Sequence, residues 1–180
     1  MNWYALYVKT GKEAYVENYI NQNYKKVKCF VPKRKIPERK YGEFVDTNHL
    51  MVPGYVFIKA EITFALYYSI TKIPNVYYFV NCGRKKLNFS DGYFSEVPDS
   101  EINELIYLNR DGILGYSDIE IINKKVEVVS GPLLGCNAKI IKVNRRKKRV
   151  KIQIILFGEL RNIDVGVNII RIQNIEEDVC

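Results

Sequence analysis

The sequence predicts an α+β domain followed by a small all-β module. Three observations carry that prediction. Strand-like and helix-like runs alternate through roughly the first 110 residues. Helical periodicity then stops. After it, five short apolar runs separated by turns fill about 55 residues, the pattern of a small closed barrel.

Each element has a local reason. The run WYALYV at 3–8 is rich in aromatic and branched residues and predicts a buried strand, ended by Gly11. Val16, Tyr19, Ile20 and Tyr24 fall at helical spacing, which predicts a helix over about 11–24. VKCFVPKR predicts a strand closed by Pro32, and the polar stretch 33–47, with Pro37 and Gly42, predicts a long mobile hairpin. MVPGYVFIKAEI is the strongest strand signal of this half. TFALYYSITKI predicts a helix with two apolar faces, Leu66, Ile70 and Ile73 on one and Phe64, Tyr67, Tyr68 and Thr71 on the other. NVYYFV predicts a further strand. DSEINELI then supplies an N-cap candidate, early carboxylates, and Ile102, Leu105 and Ile106 at i, i+3, i+4 spacing.

In NRDGILGYSDIEI the composition shifts, and this stretch is read as the boundary. The strands expected beyond it are KVEVV, NAKIIKV, RVKIQIIL, LRNIDV and NIIRI, with Val150, Ile152, Ile154 and Leu156 alternating inward. The expected organisation is a first domain at 1–109, a linker at 110–122 and a second domain at 123–180. Ile113, Leu114, Tyr116 and Ile119 give that linker some apolar packing.

Composition bounds the function. An apolar fraction of 47% is enough for a core. The net charge of +8 and a pI near 9.2 make a polyanionic partner plausible. MNWYALYVKTGKE lacks the apolar core of a signal peptide, and no apolar run approaches the ~18 residues of a spanning helix. Cys29, Cys82, Cys136 and Cys180 are scattered, which fits thiols in a reducing cytoplasm better than disulfides or a zinc site. His49 is the single histidine and has no nucleophile motif beside it. Glu13 and Glu17 read as ordinary helix-surface carboxylates, and GPLLG lacks the lysine of a phosphate loop. No catalysis, cofactor or metal is expected.

Charge concentrates in two places. Between residues 131 and 152 stand Lys139, Lys142, Arg145, Arg146, Lys147, Lys148, Arg149 and Lys151, with no acid among them. A second run holds Lys25, Lys26, Lys28, Lys33, Arg34, Lys35, Arg39 and Lys40, with Glu38 as its acid. The residues alone leave both open, either as grips on a polyanion or as solvated surface.

W-Y at 3–4 with Gly11, V-P-G-Y-V-F-I at 52–58 and I-P-N-V-Y-Y-F-V at 73–80 resemble the N-terminal (NGN) domain of the NusG transcription elongation factors. GPLLGCNAKIIKV at 131–143, with the basic turn and RVKIQIILFGE after it, resembles their KOW module. The resemblance implies an α/β sandwich, an antiparallel sheet flanked by helices, followed by an SH3-like barrel. It also implies a non-enzymatic, cytoplasmic, monomeric factor. RNA polymerase would be gripped by an apolar cavity, using Tyr7, Val52, Tyr55 and Phe57, that receives the coiled coil of its largest subunit; those four filling the core is the alternative. A second polymerase contact would lie at Leu66, Tyr67, Tyr68 and Ser69. The run Lys33, Arg34, Lys35, Arg39 and Lys40 would face upstream or non-template DNA. Val52 replaces a common aromatic, and Ala138 stands where the module usually has glycine, a strained choice if that site needs φ > 0. With the dense basic crest, these departures resemble a specialised antiterminator, LoaP-like first and RfaH-like second, whose KOW module contacts a hairpin in nascent RNA. The alternative is a housekeeping-type module that binds a ribosomal protein or termination factor.

Overall fold

The computed structural model describes residues 1–81, 86–89 and 92–173, so Cys82, Cys180 and the rest of 174–180 lie outside the described residues. The chain runs through β1 (Asn2–Val8), α1 (Glu13–Asn23), β2 (Lys28–Phe30), β3 (Lys33–Lys40), β4 (Glu43–Leu50), β5 (Tyr55–Ala60), α2 (Phe64–Thr71) and β6 (Val76–Phe79). It continues through β7 (Lys86–Phe89), β8 (Gly92–Ser95), α3 (Asp99–Leu108), β9 (Ser117–Ile122), β10 (Lys125–Ser130), β11 (Lys139–Asn144), β12 (Arg149–Leu156) and β13 (Glu159–Gln173). These elements divide into two compact units. Residues 1–31 and 52–102 form the first; residues 32–51 and 103–180 form the second.

The first unit is built on an antiparallel sheet in the order β2-β5-β1-β6. Helix α1 packs on β2 and β5 and buries Val16, Ile20 and Glu13. The burial of Glu13 corrects the expectation of a surface carboxylate: the residue is 2% exposed. The cause is the turn into β5. Gly54 there has φ +84°, and its buried N–H needs an acceptor, which Glu13 Oε1 provides at 2.7 Å. A second aromatic core joins Tyr4, Tyr67, Phe79 and Phe94, with Tyr67 stacked on Phe79 and on Phe94 at 5.0 Å.

The second unit holds the hairpin β3–β4 and a five-stranded sheet in the order β10-β9-β13-β12-β11. Two sequence expectations change here. Residues 117–122, expected in a linker, form β9, which pairs with β10 on one side and with β13 on the other. LRNIDV and NIIRI, expected as two strands, are one. Around Gly166, β13 exchanges partners, antiparallel to β12 up to Gly166 and parallel to β9 from Val167. The inward alternation of Val150, Ile152, Ile154 and Leu156 holds, each 4% exposed or less. They share the core with Ile119, Ile121, Ile163, Val165 and Val167. Ala138 is not among the positive-φ residues, so the replacement of glycine is unstrained; its N–H donates to Glu104 Oε1 at 3.1 Å.

Removing the buried acceptor tests the turn in the first unit. Glu13→Ala strands the Gly54 N–H and lowers unfolding free energy by about 1–3 kcal/mol, read by chemical denaturation. Glu13→Gln, which keeps an acceptor oxygen, recovers most of that loss.

Candidate nucleic-acid interface

The basic crest sits on the β11–β12 turn. Asn144 Oδ1 accepts the N–H of Lys147 at 3.0 Å, Lys148 N–H donates to Arg145 O at 3.1 Å, and Val167 N–H donates to Lys148 O at 3.1 Å. The turn closes only with Lys148 at φ +50°, a left-handed conformation that glycine or asparagine adopts more readily. Lys139, Lys142, Arg145, Arg146, Lys147 and Lys148 are exposed, whereas Arg149 and Lys151 are half-buried.

Arg149 differs for a specific reason: the β3–β4 hairpin lies over it. Its Nη2 and Nε donate to Pro37 O at 2.6 and 3.2 Å. The hairpin is fastened at several further points. Lys35 N–H donates to Leu114 O at 2.8 Å, and Leu114 N–H donates to Lys33 O at 2.9 Å. Arg34 Nη1 donates to Asp164 O, and the Tyr116 hydroxyl donates to Asp46. Burial, ahead of the bond to Asp46, pushes the Tyr116 hydroxyl well above the usual phenol range. Burial likewise lowers the Arg34 pKa, opposed by Asp164 and reinforced by Arg149, and its Nε is buried without a hydrogen-bond partner.

Gly166 makes this docking sterically possible. A Cβ at that position would come 2.1 Å from Tyr116 Cε1 and 3.0 Å from Pro37 Cδ.

The hairpin part of the second basic run, from Lys33 to Lys40, is thereby joined to the crest in one unit, whereas Lys25, Lys26 and Lys28 belong to the first unit. Hairpin and turn enclose a cleft of about 430 Å³ whose cations are Arg39, Lys40, Arg146, Lys147 and Arg149. Pro37 and Phe44 add apolar wall, and Glu38 is its one carboxylate, 3.0 Å from His49 Nε2. Lys148 Nζ lies 4.7 Å from the centre of the Phe44 ring. A smaller depression of about 140 Å³ shares Lys147 and Arg149 and adds Lys142 and Lys151. Of the expected hairpin cations, Arg39 and Lys40 are exposed; Lys33, Arg34 and Lys35 are half-buried, and Lys35 Nζ is 3.6 Å from Asp46. Phe44 was not anticipated, although an exposed aromatic beside a basic run is a visible signal.

In the first unit, Tyr7 is the centre of an aromatic group at one end of the adjacent strands β5, β1 and β6. Its ring centre is 5.4 Å from Tyr55, 5.8 Å from Tyr77 and 5.1 Å from Tyr78. Tyr7, Tyr55 and Val52 are half-buried, and Tyr77 and Tyr78, which sequence reasoning did not single out, are 56% and 54% exposed. Phe57 is fully buried against Phe30 and belongs to the core, so it offers no surface to a partner. Tyr67 is also buried, while Leu66 and Tyr68 are half-buried and Phe64 is exposed. Among the described residues no group of three or more His, Cys, Asp or Glu could hold a metal, and no helix is long and apolar enough to cross a membrane.

Comparison with known proteins adds to this geometry. A family model described as NusG, transcription termination factor, matches residues 1–106. A transcription termination/antitermination protein NusG of Helicobacter pylori is 24% identical over 173 residues, covering 92% of this chain and 94% of its own. The protein of the same name from Lactococcus lactis is 22% identical over 168 residues. A solved structure titled as domain interaction in Thermotoga maritima NusG has the same fold, with a TM-score of 0.53 at 18% identity over 92% of this chain and 93% of its own.

Filling the space over Gly166 probes the docking of the hairpin. Gly166→Ala is expected to cost about 1–3 kcal/mol by overpacking, lowering the thermal midpoint by about 2–4 °C per kcal/mol. It also speeds amide exchange at Lys35. Gly115→Ala, where a Cβ meets nothing within 4 Å, leaves both unchanged.

Proposed function

Since the chain belongs to the NusG family of transcription termination/antitermination factors, we propose that it is a specialised, LoaP-like antiterminator. It rides on RNA polymerase through its first unit and contacts a hairpin of the nascent RNA through the second. The observation that carries the RNA assignment is the β11–β12 turn. A row of exposed cations is held in a fixed conformation, one of them, Lys148, at a backbone position unfavourable for lysine. Such charge opposes folding by self-repulsion and is relieved by a phosphate backbone. A-form RNA presents phosphates and shape more readily than base edges, which suits an array of lysines and arginines.

The polymerase assignment rests on the aromatic cluster of Tyr7, Tyr55, Tyr77 and Tyr78 beside Val52. Partly exposed aromatics clustered at one end of a sheet suit the tip of a helical coiled coil, where buried aromatic anchors provide most of the binding energy. Leu66, Tyr68 and Phe64 on α2 form the second polymerase contact. In this reading the factor acts in the cytoplasm as a monomer, without catalysis or a cofactor.

One observation favours a second reading, in which the β-module binds a protein such as a ribosomal protein. Ile155 and Leu160 are cross-strand neighbours on β12 and β13 and are 54% and 63% exposed. An apolar pair of this kind suits a protein partner better than a phosphate backbone.

Two variants separate the functions. The triple variant Arg145→Ala, Arg146→Ala, Lys148→Ala loses binding to an RNA hairpin at ~150 mM salt, where non-specific contacts are weak, and keeps polymerase binding in a pull-down. Arg149 is left in place because it fastens the hairpin. Equal loss of both activities would refute the division of labour. Tyr55→Ala abolishes polymerase binding with little change in thermal midpoint; collapse of the fold would instead assign Tyr55 to the core.

A further inference from the structure

We propose that the cleft between the β3–β4 hairpin and the β11–β12 turn is a binding site for a single unstacked RNA nucleotide. It would take a loop or bulge base whose flanking phosphates lie on the cations around it. This rests on the reading that the basic turn contacts RNA, and extends it from a charged surface to a formed pocket.

Five cations, Arg39, Lys40, Arg146, Lys147 and Arg149, line the cleft against one carboxylate, Glu38. Glu38 is itself beside His49, with Nε2 3.0 Å from Oε1. The walls between these charges are apolar and flat, the Phe44 ring and the Pro37 ring. Positive charge alternating with a planar apolar face matches a nucleotide, because phosphate seeks the cations and the base seeks the ring. A protein carboxylate would use the cations but leave the aromatic wall unused.

The cleft is formed before any ligand arrives. Arg149 bonds the Pro37 carbonyl, Arg34 bonds Asp164 O, Tyr116 bonds Asp46, and Lys35 and Leu114 exchange backbone bonds with the neighbouring strand segments. A preformed site avoids the ordering cost that a mobile hairpin would incur on binding.

Phe44 is 40% exposed on β4, and Lys148 lies over its ring. The left-handed backbone of Lys148 brings that ammonium to the aromatic wall. Both features are unfavourable or neutral for folding alone, and both serve a ligand that stacks and carries negative charge.

The test uses the full chain and two probes. One is a fluorescein-labelled single-stranded RNA octamer with 2-aminopurine at its centre; the other is a blunt RNA duplex of the same length. The expected results are quenching of 2-aminopurine on binding and a loss of about tenfold in octamer affinity for Phe44→Leu. Phe44→Tyr, which keeps the ring, restores both, and duplex affinity changes little in either variant. Melting curves for both variants establish that the hairpin stays folded. The octamer's affinity should fall with a log–log salt slope of about −2 to −3, as for three or four phosphates on a single strand.

Unquenched 2-aminopurine, or a Phe44→Leu variant that binds the octamer like the parent protein, overturns the pocket. If the Arg145, Arg146, Lys148 variant loses RNA in that case, the basic turn still stands as an RNA contact. If that variant also binds normally, both readings fall. Displacement of the octamer by a poly-glutamate peptide with no dependence on Phe44 would reassign the cleft to an acidic protein.

Discussion

The second unit depends on the meeting of Pro37, Tyr116 and Gly166. Tyr116 lies where a side chain on residue 166 would otherwise be, so β13 has to be bare at that point. This position is also where β13 exchanges β12 for β9 as its partner. The missing side chain therefore meets two needs, a bend in a long strand and a seat for the hairpin. Pro37 suits its place because a proline in a strand cannot donate a ladder hydrogen bond, while its carbonyl remains free to accept from Arg149.

That seat divides the basic residues into two kinds. Arg34 and Arg149 use their guanidinium groups on backbone carbonyls of the unit, and burial lowers the pKa of Arg34. Two like charges are tolerated close together because each donates charge-assisted bonds and Asp164 lies nearby. Lysine could not replace them equally, since a single ammonium lacks the planar fork that Arg149 directs at one oxygen. The exposed cations of the turn have no comparable structural role. Net charge alone cannot separate the two kinds, and only the hairpin's position does.

Local signals were legible where local physics decides. The period of two in RVKIQIIL, the helical spacing of Val16 and Ile20, and the Tyr41-Gly42 turn of the hairpin all follow from short-range sterics and burial. The Tyr41-Gly42 pair takes φ of +52° and +89°, as a tight hairpin requires. What escaped sequence reasoning is long-range. Glu13 looks like a surface acid until the turn at Gly54 supplies a buried N–H. SDIEII looks like a linker because its aspartate and glutamate break the apolar run. Yet Ser117, Ile119 and Ile121 alternate inward while Asp118 bonds Ser130 and Asn168 on the neighbouring strands. Phe57 reads as a partner residue by position in a motif, but burial assigns it to the core. The candidate RNA cleft was half legible: both basic runs were visible, but not that Arg39 and Lys40 of one and Arg146, Lys147 and Arg149 of the other line one cleft.

The placement of Lys148 joins these threads. A left-handed residue in a tight turn usually goes to glycine or asparagine, because a Cβ there costs roughly 1 kcal/mol. The turn keeps lysine and directs it over Phe44 on a hairpin about a hundred residues earlier in the chain. A cation–π contact at a partly exposed site contributes about 0.5–1 kcal/mol, enough to offset the backbone strain but not to exceed it. Stability thus gives no net reason to prefer lysine to glycine. The preference is explained once the ammonium acts outside the fold, at the edge of a cleft whose other residues are also arranged for a negatively charged, planar ligand.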